Sequence, residues 1–269
     1  MRRIGLSTVP AVVCLSAALL LSACSNTPKD PTQGWTSERI YEEARDEVSA
    51  GAWDKAIGLY EKLEGRAAGT VLAQQAQIEK AYAQYRTGEK VQAVATLDRF
   101  IRLHPTSPAM DYALYLKGLV NFNENLGLFS SLINQDLSER DQKAAKESYE
   151  SFLELTQRFP ESKYTPDARQ RMTYIVNSLA GYEVHVARYY ARRGAHVAAI
   201  NRAQQVLIDY QNVPAAEEAL AILVYSYDAL GMSQLRDDSR RVLEKNYPNS
   251  TFLKNPLAGR TSKPWWQLW

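Results

Sequence analysis

The stretch Ala50-Gly51-Ala52-Trp53-Asp54-Lys55-Ala56-Ile57 recurs in altered form at residues 87–94 and 193–200. In each copy a Gly is followed five residues later by Ala, and then by Ile or Val. Glycine adopts positive φ at low cost and commonly ends a helix, whereas the small Ala lets two helices approach closely. The recurring stretch therefore predicts a helix–turn–helix unit.

The spacing of the glycines extends this unit into a repeat. Gly51 and Gly88 are 37 residues apart, and so are Gly194 and Gly231. Twelve residues after each of these glycines the sequence has an apolar residue, expected to face the neighbouring repeat: Leu63, Phe100, Val206 and Leu243. Proline follows seventeen residues after two of them, at positions 105 and 248, where it would end the second helix.

A middle repeat is recognisable from its two ends. Its first helix is predicted to begin at 111–118, and its second helix to end with Phe152, Leu155 and Phe159-Pro160. About fourteen residues, 127–140, are inserted between these helices. The prediction is an all-α fold, a right-handed superhelical solenoid of about five tetratricopeptide repeats.

The N-terminus has the features of a cleaved signal peptide over residues 1–23. Arg2 and Arg3 precede an apolar stretch from Val9 to Leu21, which is too short to span a membrane as a helix. The stretch ends in Leu21-Ser22-Ala23-Cys24, the pattern of bacterial lipoprotein precursors. Cleavage before Cys24 would expose an amine and a thiol for acylation; an ordinary secretory signal that happens to contain a Cys is the alternative.

The cysteine count favours the lipoprotein interpretation. Cys14 would leave with the signal peptide, so that Cys24 is the single remaining thiol. An internal disulfide and a thiolate metal site are then impossible. We expect no cofactor other than the covalent N-acyl and S-diacylglycerol lipid on Cys24. Because Ser25 stands where inner-membrane lipoproteins have Asp, resemblance to sorted lipoproteins suggests the periplasmic face of an outer membrane.

Two further segments are polar or contain proline. Residues 24–35 include Pro28 and Pro31 and are predicted to be a flexible lipidated tether. Residues 256–269 form a tail whose end, Trp265-Trp266-Gln267-Leu268-Trp269, holds three of the five tryptophans. Its rings suit a membrane interface or a partner's pocket, and a tail without a role is the alternative. The apolar residues of the 127–140 insertion either pack back onto the solenoid or face a partner.

Charge and motifs argue against nucleic-acid binding and catalysis. Without Arg2 and Arg3 the chain has 30 basic and 30 acidic residues, so no electrostatic footprint for nucleic acid is present. The sequence contains no nucleophile elbow, phosphate-binding glycine loop or zinc-protease motif. The three histidines lack acidic or Cys neighbours at metal-ligand spacing, so we expect structural roles for them, no metal site and no enzymatic activity.

The basic residues Arg188, Arg192, Arg193 and Arg202 form a cluster in the fourth repeat. In the helix that starts near Val197, Arg202 falls at the edge of the predicted buried stripe. Its guanidinium could meet a partner's carboxylate at the rim of a contact surface. Alternatively, the side chain could extend over its own core, and the spacing leaves both interpretations open.

Four runs resemble the BamD family, the five-repeat lipoproteins of the β-barrel assembly machinery in Gram-negative outer membranes. They are Asp98-Arg99-Phe100-Ile101-Arg102-Leu103-His104-Pro105, Tyr115-Leu116-Lys117-Gly118-Leu119, Tyr189-Tyr190-Ala191-Arg192-Arg193-Gly194-Ala195 and Ala199-Ile200-Asn201-Arg202. The resemblance covers about residues 36–250, including the inserted segment, together with the lipoprotein signal. It does not extend to the Trp-rich tail.

The resemblance implies a non-catalytic scaffold. Repeats 4 and 5, residues 161–255, would bind the last periplasmic POTRA domain of the barrel subunit BamA, and companion lipoproteins would dock alongside. Repeats 1 to 3, residues 36–160, would receive the C-terminal signals of unfolded outer-membrane proteins. The expected BamA-binding residues are Arg193 and Arg202, which match family arginines, with Arg188. First helices line such grooves, so the client-binding candidates are Tyr82, Tyr85, Tyr112, Tyr115 and Asn121.

Two other classes of protein compete with this interpretation. A pilotin, which escorts secretin subunits, is also a repeat lipoprotein, but it would have another repeat count and no insertion; crosslinking to a secretin would identify it. A periplasmic cell-wall enzyme could use a single catalytic Glu. Release of muropeptides that one Glu→Gln change abolishes would identify that class.

Overall fold

The computed structural model describes residues 30–122, 139–210 and 212–257, with the side chains of 139–141 left aside. These residues form ten α-helices and a short 3₁₀-helix at Thr251–Leu253, and they contain no strand. The helices are α1 Ser37–Ser49, α2 Trp53–Arg66, α3 Val71–Arg86, α4 Lys90–Leu103, α5 Met110–Asn121, α6 Glu139–Arg158, α7 Thr165–Arg192, α8 His196–Asp209, α9 Ala215–Ala229 and α10 Ser233–Asn246. Cys24, the Trp-rich end and 127–138 of the insertion lie outside the described residues.

The ten helices form five consecutive pairs. Each helix packs against the next one in the chain, from α1 to α10. The first helices of neighbouring pairs also touch, α1 with α3, α3 with α5 and α7 with α9. Because the main contacts of each pair are with its neighbours, the described residues form an all-α repeat solenoid, as the glycine spacing predicted.

The predicted turn glycines have the backbone conformation that the repeat requires. Their φ angles are positive, 76° at Gly51, 84° at Gly88, 76° at Gly194 and 70° at Gly231. After Gly88, the N–H of Glu89 donates to the carbonyl of Gln84 at 2.8 Å, and the other three turns repeat this bond. Such a bond satisfies a carbonyl at the end of the helix and reverses the chain direction.

The apolar positions of the repeat are the buried ones. The alanines five residues after the first three turn glycines are fully buried: Ala56, Ala93 and Ala199. The apolar residues twelve positions after all four turn glycines are buried too: Leu63, Phe100, Val206 and Leu243. The fifth repeat departs from the pattern, since Arg236 replaces Ala and pairs with Asp228 at 2.8 Å. No described α-helix follows α10 to cover its outer face, so an Arg is tolerated there.

The two helices of the middle repeat approach closely at Gly118. A Cβ placed on Gly118 of α5 would lie 2.4 Å from the ring of Phe152 on α6, well inside contact distance. The buried Ser148 hydroxyl donates to the Gly118 carbonyl at 2.8 Å. Glycine is therefore required here for the approach of two helices, and not for a turn.

Helix α7 joins two hydrophobic cores. It has 28 residues, whereas α8 has 14. As far as Leu179 its buried side chains pack with repeats 2 and 3, and from Ala180 onward they pack with repeats 4 and 5. The two cores thus meet inside one continuous helix, beyond the predicted boundary between residues 160 and 161.

The end of the predicted tether is packed against the first repeat. Asp30 forms ion pairs with Lys62 and Arg66 of α2, each at 2.6 Å. The Lys62 ammonium, with the N–H and hydroxyl of Thr32, lowers the pKa of Asp30. Thr32 itself is only 1% exposed. The prediction of a flexible tether as far as residue 35 is therefore wrong for 30–35, because composition does not reveal these contacts with α2.

Candidate protein-binding surfaces

Half-buried aromatic rings line one side of repeats 1 to 3 and the start of α7. We call this set the aromatic surface; it comprises Trp53, Tyr82, Tyr112, Tyr115, Phe122, Tyr164 and Tyr174. Tyr115 stacks on Tyr164 with centroids 4.7 Å apart, and Tyr112 lies 5.4 Å from the same ring. Trp53 and Tyr82 meet edge to face at 6.0 Å. These spacings are those of favourable aromatic pairs.

Helix α5 positions the centre of this surface. Tyr112 and Tyr115 are three residues apart and so share one helix face. The Tyr115 hydroxyl donates to Asp167 in the first turn of α7 at 2.8 Å, and Arg171 Nε donates to the same oxygen at 2.6 Å. This contact fixes the first helix of the third repeat against the first helix of the fourth.

Tyr112 and Tyr115, at the centre of the aromatic surface, stay neutral. Burial, reinforced by the nearby Tyr164 and Tyr82, raises the pKa of Tyr112 to about 12. Burial and the hydrogen bond to Asp167 raise the pKa of Tyr115. Burial by itself would raise the pKa of Asp167, but the hydrogen bonds from Arg171 and Tyr115 outweigh it and lower that pKa. The surface therefore combines uncharged rings with a firmly ionised carboxylate.

A polar cluster on the first three helices borders this surface. The carboxylate of Glu79 accepts hydrogen bonds from the hydroxyls of Tyr41 and Tyr60, both at 2.6 Å. Burial and the bond to Glu79 raise the pKa of Tyr41 to about 12. Each carboxylate oxygen thus has a tyrosine partner, which joins α1 and α2 to α3.

The predicted client-binding residues do not all meet. Tyr82, Tyr112 and Tyr115 belong to the aromatic surface. Tyr85 packs, partly buried, against the core of repeats 2 and 3. The Asn121 amide points to α6, where its Nδ2 lies 3.5 Å from the Glu147 carboxylate.

Sequence reasoning missed four rings of the aromatic surface. Trp53 belongs to the repeated motif, but it begins a second helix, whereas the predicted client-binding residues were chosen from first helices. Tyr164 lies outside any helix, directly before α7. Phe122 and Tyr174 meet at 5.6 Å although 52 residues separate them, and no local spacing signals such a contact.

The predicted BamA-binding arginines are Arg188 on α7, Arg193 directly after α7 and Arg202 on α8, and the first and last of these pair within the chain. Arg202 Nη1 is 2.9 Å from Glu183 Oε2, and Arg188 pairs with Glu218. The hydrogen bond and charge of Glu183 raise the pKa of Arg202. Both carboxylates are nearly buried, with side chains 11% and 6% exposed. Arg202 therefore does meet a carboxylate, but one of its own chain, while 46% of its side chain stays exposed.

Arg193 differs from these two. Its side chain is exposed and lies over the Tyr189 ring, with the guanidinium carbon 5.6 Å from the ring centroid. Its Nε donates weakly to the Tyr189 hydroxyl at 3.4 Å, which raises the pKa of Arg193. Neighbouring Arg192 donates to the backbone carbonyl of Leu257 at 3.0 Å, which holds the described C-terminal end against α7.

Within the ranges that the structure describes, other kinds of site are not evident. No group of three or more His, Cys, Asp or Glu side chains could hold a metal ion there. No helix in those ranges is long and apolar enough to cross a membrane. An open cleft of about 380 Å³ lies between α6, α7 and the loop after α8, lined by residues that include Tyr149, Met172, Val176 and Val213.

Comparison with known proteins places the chain in a family. Residues 34–243 match the family YfiO, described as outer membrane lipoprotein. A protein of Neisseria meningitidis serogroup B named outer membrane protein assembly factor BamD is 49% identical over 96% of this chain and 98% of that protein. Proteins of the same name from Xylella fastidiosa strain Temecula1 and Vibrio cholerae are 35% and 34% identical, covering 93% and 86% of this chain and 90% and 96% of their own.

A solved tetratricopeptide repeat protein from Parabacteroides merdae is similar with a TM-score of 0.35 and 13% identity, over 83% of this chain and 72% of that one. The names of the relatives describe assembly factors, which fits a role other than that of an enzyme. The family description and these names imply association with the outer membrane. The chain belongs to the family of outer membrane lipoproteins that includes the BamD assembly factors.

Proposed function

We propose that this chain is a non-catalytic scaffold lipoprotein of the β-barrel assembly machinery, which assists the folding and insertion of outer-membrane proteins. Repeats 1 to 3 receive the C-terminal signals of unfolded client proteins, and repeats 4 and 5 bind the periplasmic POTRA domain of BamA. Companion lipoproteins dock alongside. The family match across both halves of the solenoid is the observation that supports this proposal most directly.

The aromatic surface supports the client-binding part. Its rings are half-buried, so they are held in place but still offer their exposed faces to a peptide. Aromatic side chains provide a large contact area at a low cost in conformational entropy. The neutral Tyr112 adds a hydroxyl without net charge, which suits an extended and largely apolar chain.

The arginines of α7 and α8 support the BamA-binding part. Arg193 offers an exposed guanidinium on a tyrosine ring, a combination common in the centre of protein interfaces. Arg202 has 46% of its side chain exposed, and Arg188 holds the nearly buried Glu218 in place. In this arrangement Arg193 and Arg202 contact BamA, whereas Arg188 supports the surface from within.

The lipid on Cys24 anchors the chain to the periplasmic face of the outer membrane. Asp30, which is already bound to α2, lies six residues after Cys24. Six extended residues reach about 20 Å. The first repeat would therefore lie close to the membrane surface, which leaves the later repeats to extend toward the periplasm.

Capture of BamA by the full-length lipoprotein tests the scaffold function. Arg193→Glu should weaken capture, since it reverses an exposed charge that has no ion-pair partner among the described residues. Arg202→Glu would be harder to interpret, because it sets a second carboxylate against Glu183. The matched control is Arg102→Glu, which reverses an exposed charge at the end of α4. Equal capture by wild type and Arg193→Glu would contradict the assignment of Arg193.

Membrane fractionation tests the anchor. Replacement of residues 1–24 with a cleavable secretory signal peptide should move the protein from the membrane fraction to the soluble periplasmic fraction, because three acyl chains provide nearly all of its membrane affinity. The same replacement is combined with Arg193→Glu, so that contact with BamA does not retain the protein. Retention of this combined variant in washed outer membranes would refute lipid anchoring.

A further inference from the structure

The length of α7 opens a cleft between the second helices of repeats 3 and 4. Helix α6 packs in the first core with the first half of α7, and α8 packs in the second core with the second half. Between them lies the open cleft, lined on α7 by residues between 169 and 177. The cleft shares no residue with the aromatic surface or with the arginines assigned to BamA. It is therefore a separate place at which a ligand can bind.

Apolar side chains line the more buried part of the cleft. Met172 and Val176 are four residues apart on α7, and both are half-buried. Tyr149 of α6 packs against the first core, whereas Val213, after α8, belongs to the second core and is 4% exposed. At the junction of the two cores these side chains offer an apolar surface to an incoming side chain.

A row of exposed polar side chains borders this apolar surface along α7. Arg169, Thr173 and Asn177 are four residues apart and so lie on one helix face. The Thr173 hydroxyl donates to the backbone carbonyl of Arg169 at 3.1 Å. The amides of Asn177 and Asn212 make no hydrogen bond with another described residue. Each amide thus retains donors and an acceptor for the N–H and C=O groups of an extended polypeptide.

Arg169 gives the cleft a positive charge. It is the one charged side chain among the described residues that line the cleft. Arg171, on the same helix, is held by Asp167 at 2.6 Å, whereas no Asp or Glu in the described part of the chain forms an ion pair with Arg169. Its guanidinium therefore has N–H donors available for a carboxylate from outside the chain.

We propose that this cleft binds an extended segment of a partner protein in which an acidic residue is followed, two positions later, by a large aliphatic residue. The carboxylate pairs with Arg169, and the aliphatic side chain packs on Met172 and Val176. The backbone of the segment forms hydrogen bonds with the amides of Asn177 and Asn212. The cleft thereby adds a third contact surface to the proposed scaffold, independent of those for clients and BamA.

The dimensions of the cleft suit such a segment. Arg169 and Asn177 are about 12 Å apart along the helix axis, at a rise of about 1.5 Å per residue. Four residues of an extended chain span about 13 Å. Side chains two positions apart on that chain point to the same side, so the acidic and the aliphatic side chain both face α7.

Charge distinguishes this ligand from the protein's own Trp-rich tail. Residues 258–269 contain Arg260 and Lys263 and no Asp or Glu. The tail would therefore bring like charge toward Arg169, whereas an acidic segment brings opposite charge.

Fluorescence anisotropy with the full mature chain tests the site. The probe is a labelled peptide of ten residues, blocked at both ends, with Glu and Leu two positions apart in a host of Ser and Thr. Wild type should bind it about tenfold more tightly than the same peptide with Gln in place of Glu, the effect of one charge-assisted hydrogen-bonded pair. Arg169→Ala should remove this difference and leave binding of the Gln peptide unchanged.

Further variants and probes test the geometry. A peptide with Glu and Leu adjacent, whose side chains point to opposite sides of an extended chain, should bind about as weakly as the Gln peptide. Val176→Ala should reduce the loss that follows replacement of the Leu by Ser. Arg102→Ala, which removes an exposed arginine elsewhere in the solenoid, should behave as wild type. Circular dichroism of each variant shows whether it remains folded.

The other outcomes overturn the inference. If wild type binds the Glu and Gln peptides equally, or binds neither, the cleft does not recognise an acidic segment. If Arg169→Ala keeps the preference for Glu, the peptide binds elsewhere on the chain. If replacement of Trp265, Trp266 and Trp269 by Ser strengthens binding of the Glu peptide, the tail occupies the cleft. The proposed contacts with clients and BamA stand in each case, since Arg169 belongs to neither surface.

Discussion

The aromatic surface and the arginine pairs of the fourth repeat position charge in different ways. On the aromatic surface, tyrosine hydroxyls donate to carboxylates, as Tyr115 does to Asp167 and, at its border, Tyr60 does to Glu79. In the fourth repeat, arginines pair with nearly buried glutamates, as Arg202 does with Glu183. The first arrangement leaves ring faces available, whereas the second leaves only part of each arginine exposed.

This difference bears on what each region can bind. A surface of neutral rings binds apolar and aromatic side chains with little dependence on salt, because its main contribution is buried area. A surface of arginines on fixed carboxylates gains specificity and rate of association from charge, and it weakens as salt rises. Helix α7 connects the two regions, since Asp167 lies in its first turn and Glu183 in its second half.

The largest expected effect is in the core beneath the aromatic surface. Phe152 is fully buried and lies 6.0 Å from Tyr115 and 6.4 Å from Phe122, ring centre to ring centre. Phe152→Ala should lower the free energy of unfolding by about 3–5 kcal/mol, as for other large core truncations. Urea denaturation measures this change. Leu253→Ala, at an exposed position, should stay within about 0.5 kcal/mol of wild type, and an equally small loss for Phe152→Ala would refute the close packing of α5 on α6.

The next effect separates the inner arginine from the exposed one. Arg188→Ala removes a partner of the buried Glu218 carboxylate and should cost about 1–3 kcal/mol of stability. Arg193→Ala removes an exposed side chain that lies over Tyr189 and bonds its hydroxyl only weakly, and it should leave the stability close to that of wild type. Both free energies of unfolding are measured in the same denaturation series. Equal losses for the two variants would contradict the stabilising role assigned to the pair of Arg188 with Glu218.

High pH should destabilise the aromatic surface. The pKa of Tyr112 is about 12 in the folded state against 10.0 for a free tyrosine, so the folded state holds the proton more tightly. Its contribution to stability is complete below pH 10 and is lost as the pH rises toward 12. Tyr112→Phe should therefore lose about 1–2 kcal/mol less than wild type between pH 9 and pH 12. Parallel curves for the two proteins would contradict the raised pKa.

The smallest effects concern two glycines of α7 and its turn. Gly181 lies inside the helix beside the boundary of the two cores and is exposed, and a Cβ added there would meet no atom within 4 Å. Gly181→Ala should raise stability by about 0.5–1 kcal/mol, because Ala has the higher helix propensity. Gly194→Ala should lower stability by about 1 kcal/mol, since φ is 76° there. Thermal unfolding by circular dichroism compares them, and the same sign for both changes would contradict their assigned conformations.

Much of the fold could be predicted from local spacing. Residues three or four positions apart share one face of a helix, so short-range spacing indicates which positions are buried. Gly88 thus marks a turn and Phe100 a buried position without knowledge of the rest of the chain. The site was less predictable. Tyr112 and Tyr115 follow from their place on a first helix, but Asp167, which fixes Tyr115, is 52 residues away.

The sequence by itself determined the five helix pairs, their turns and the residues that they bury, because periodicity and glycine conformation are local properties. It also contained the family resemblance. Only the tertiary structure decided that residues 30–35 bind α2 and that Glu183 and Glu218 pair with arginines. Those contacts join side chains from segments that are distant in the sequence. The stacking of the helices determines which of these side chains lie close together.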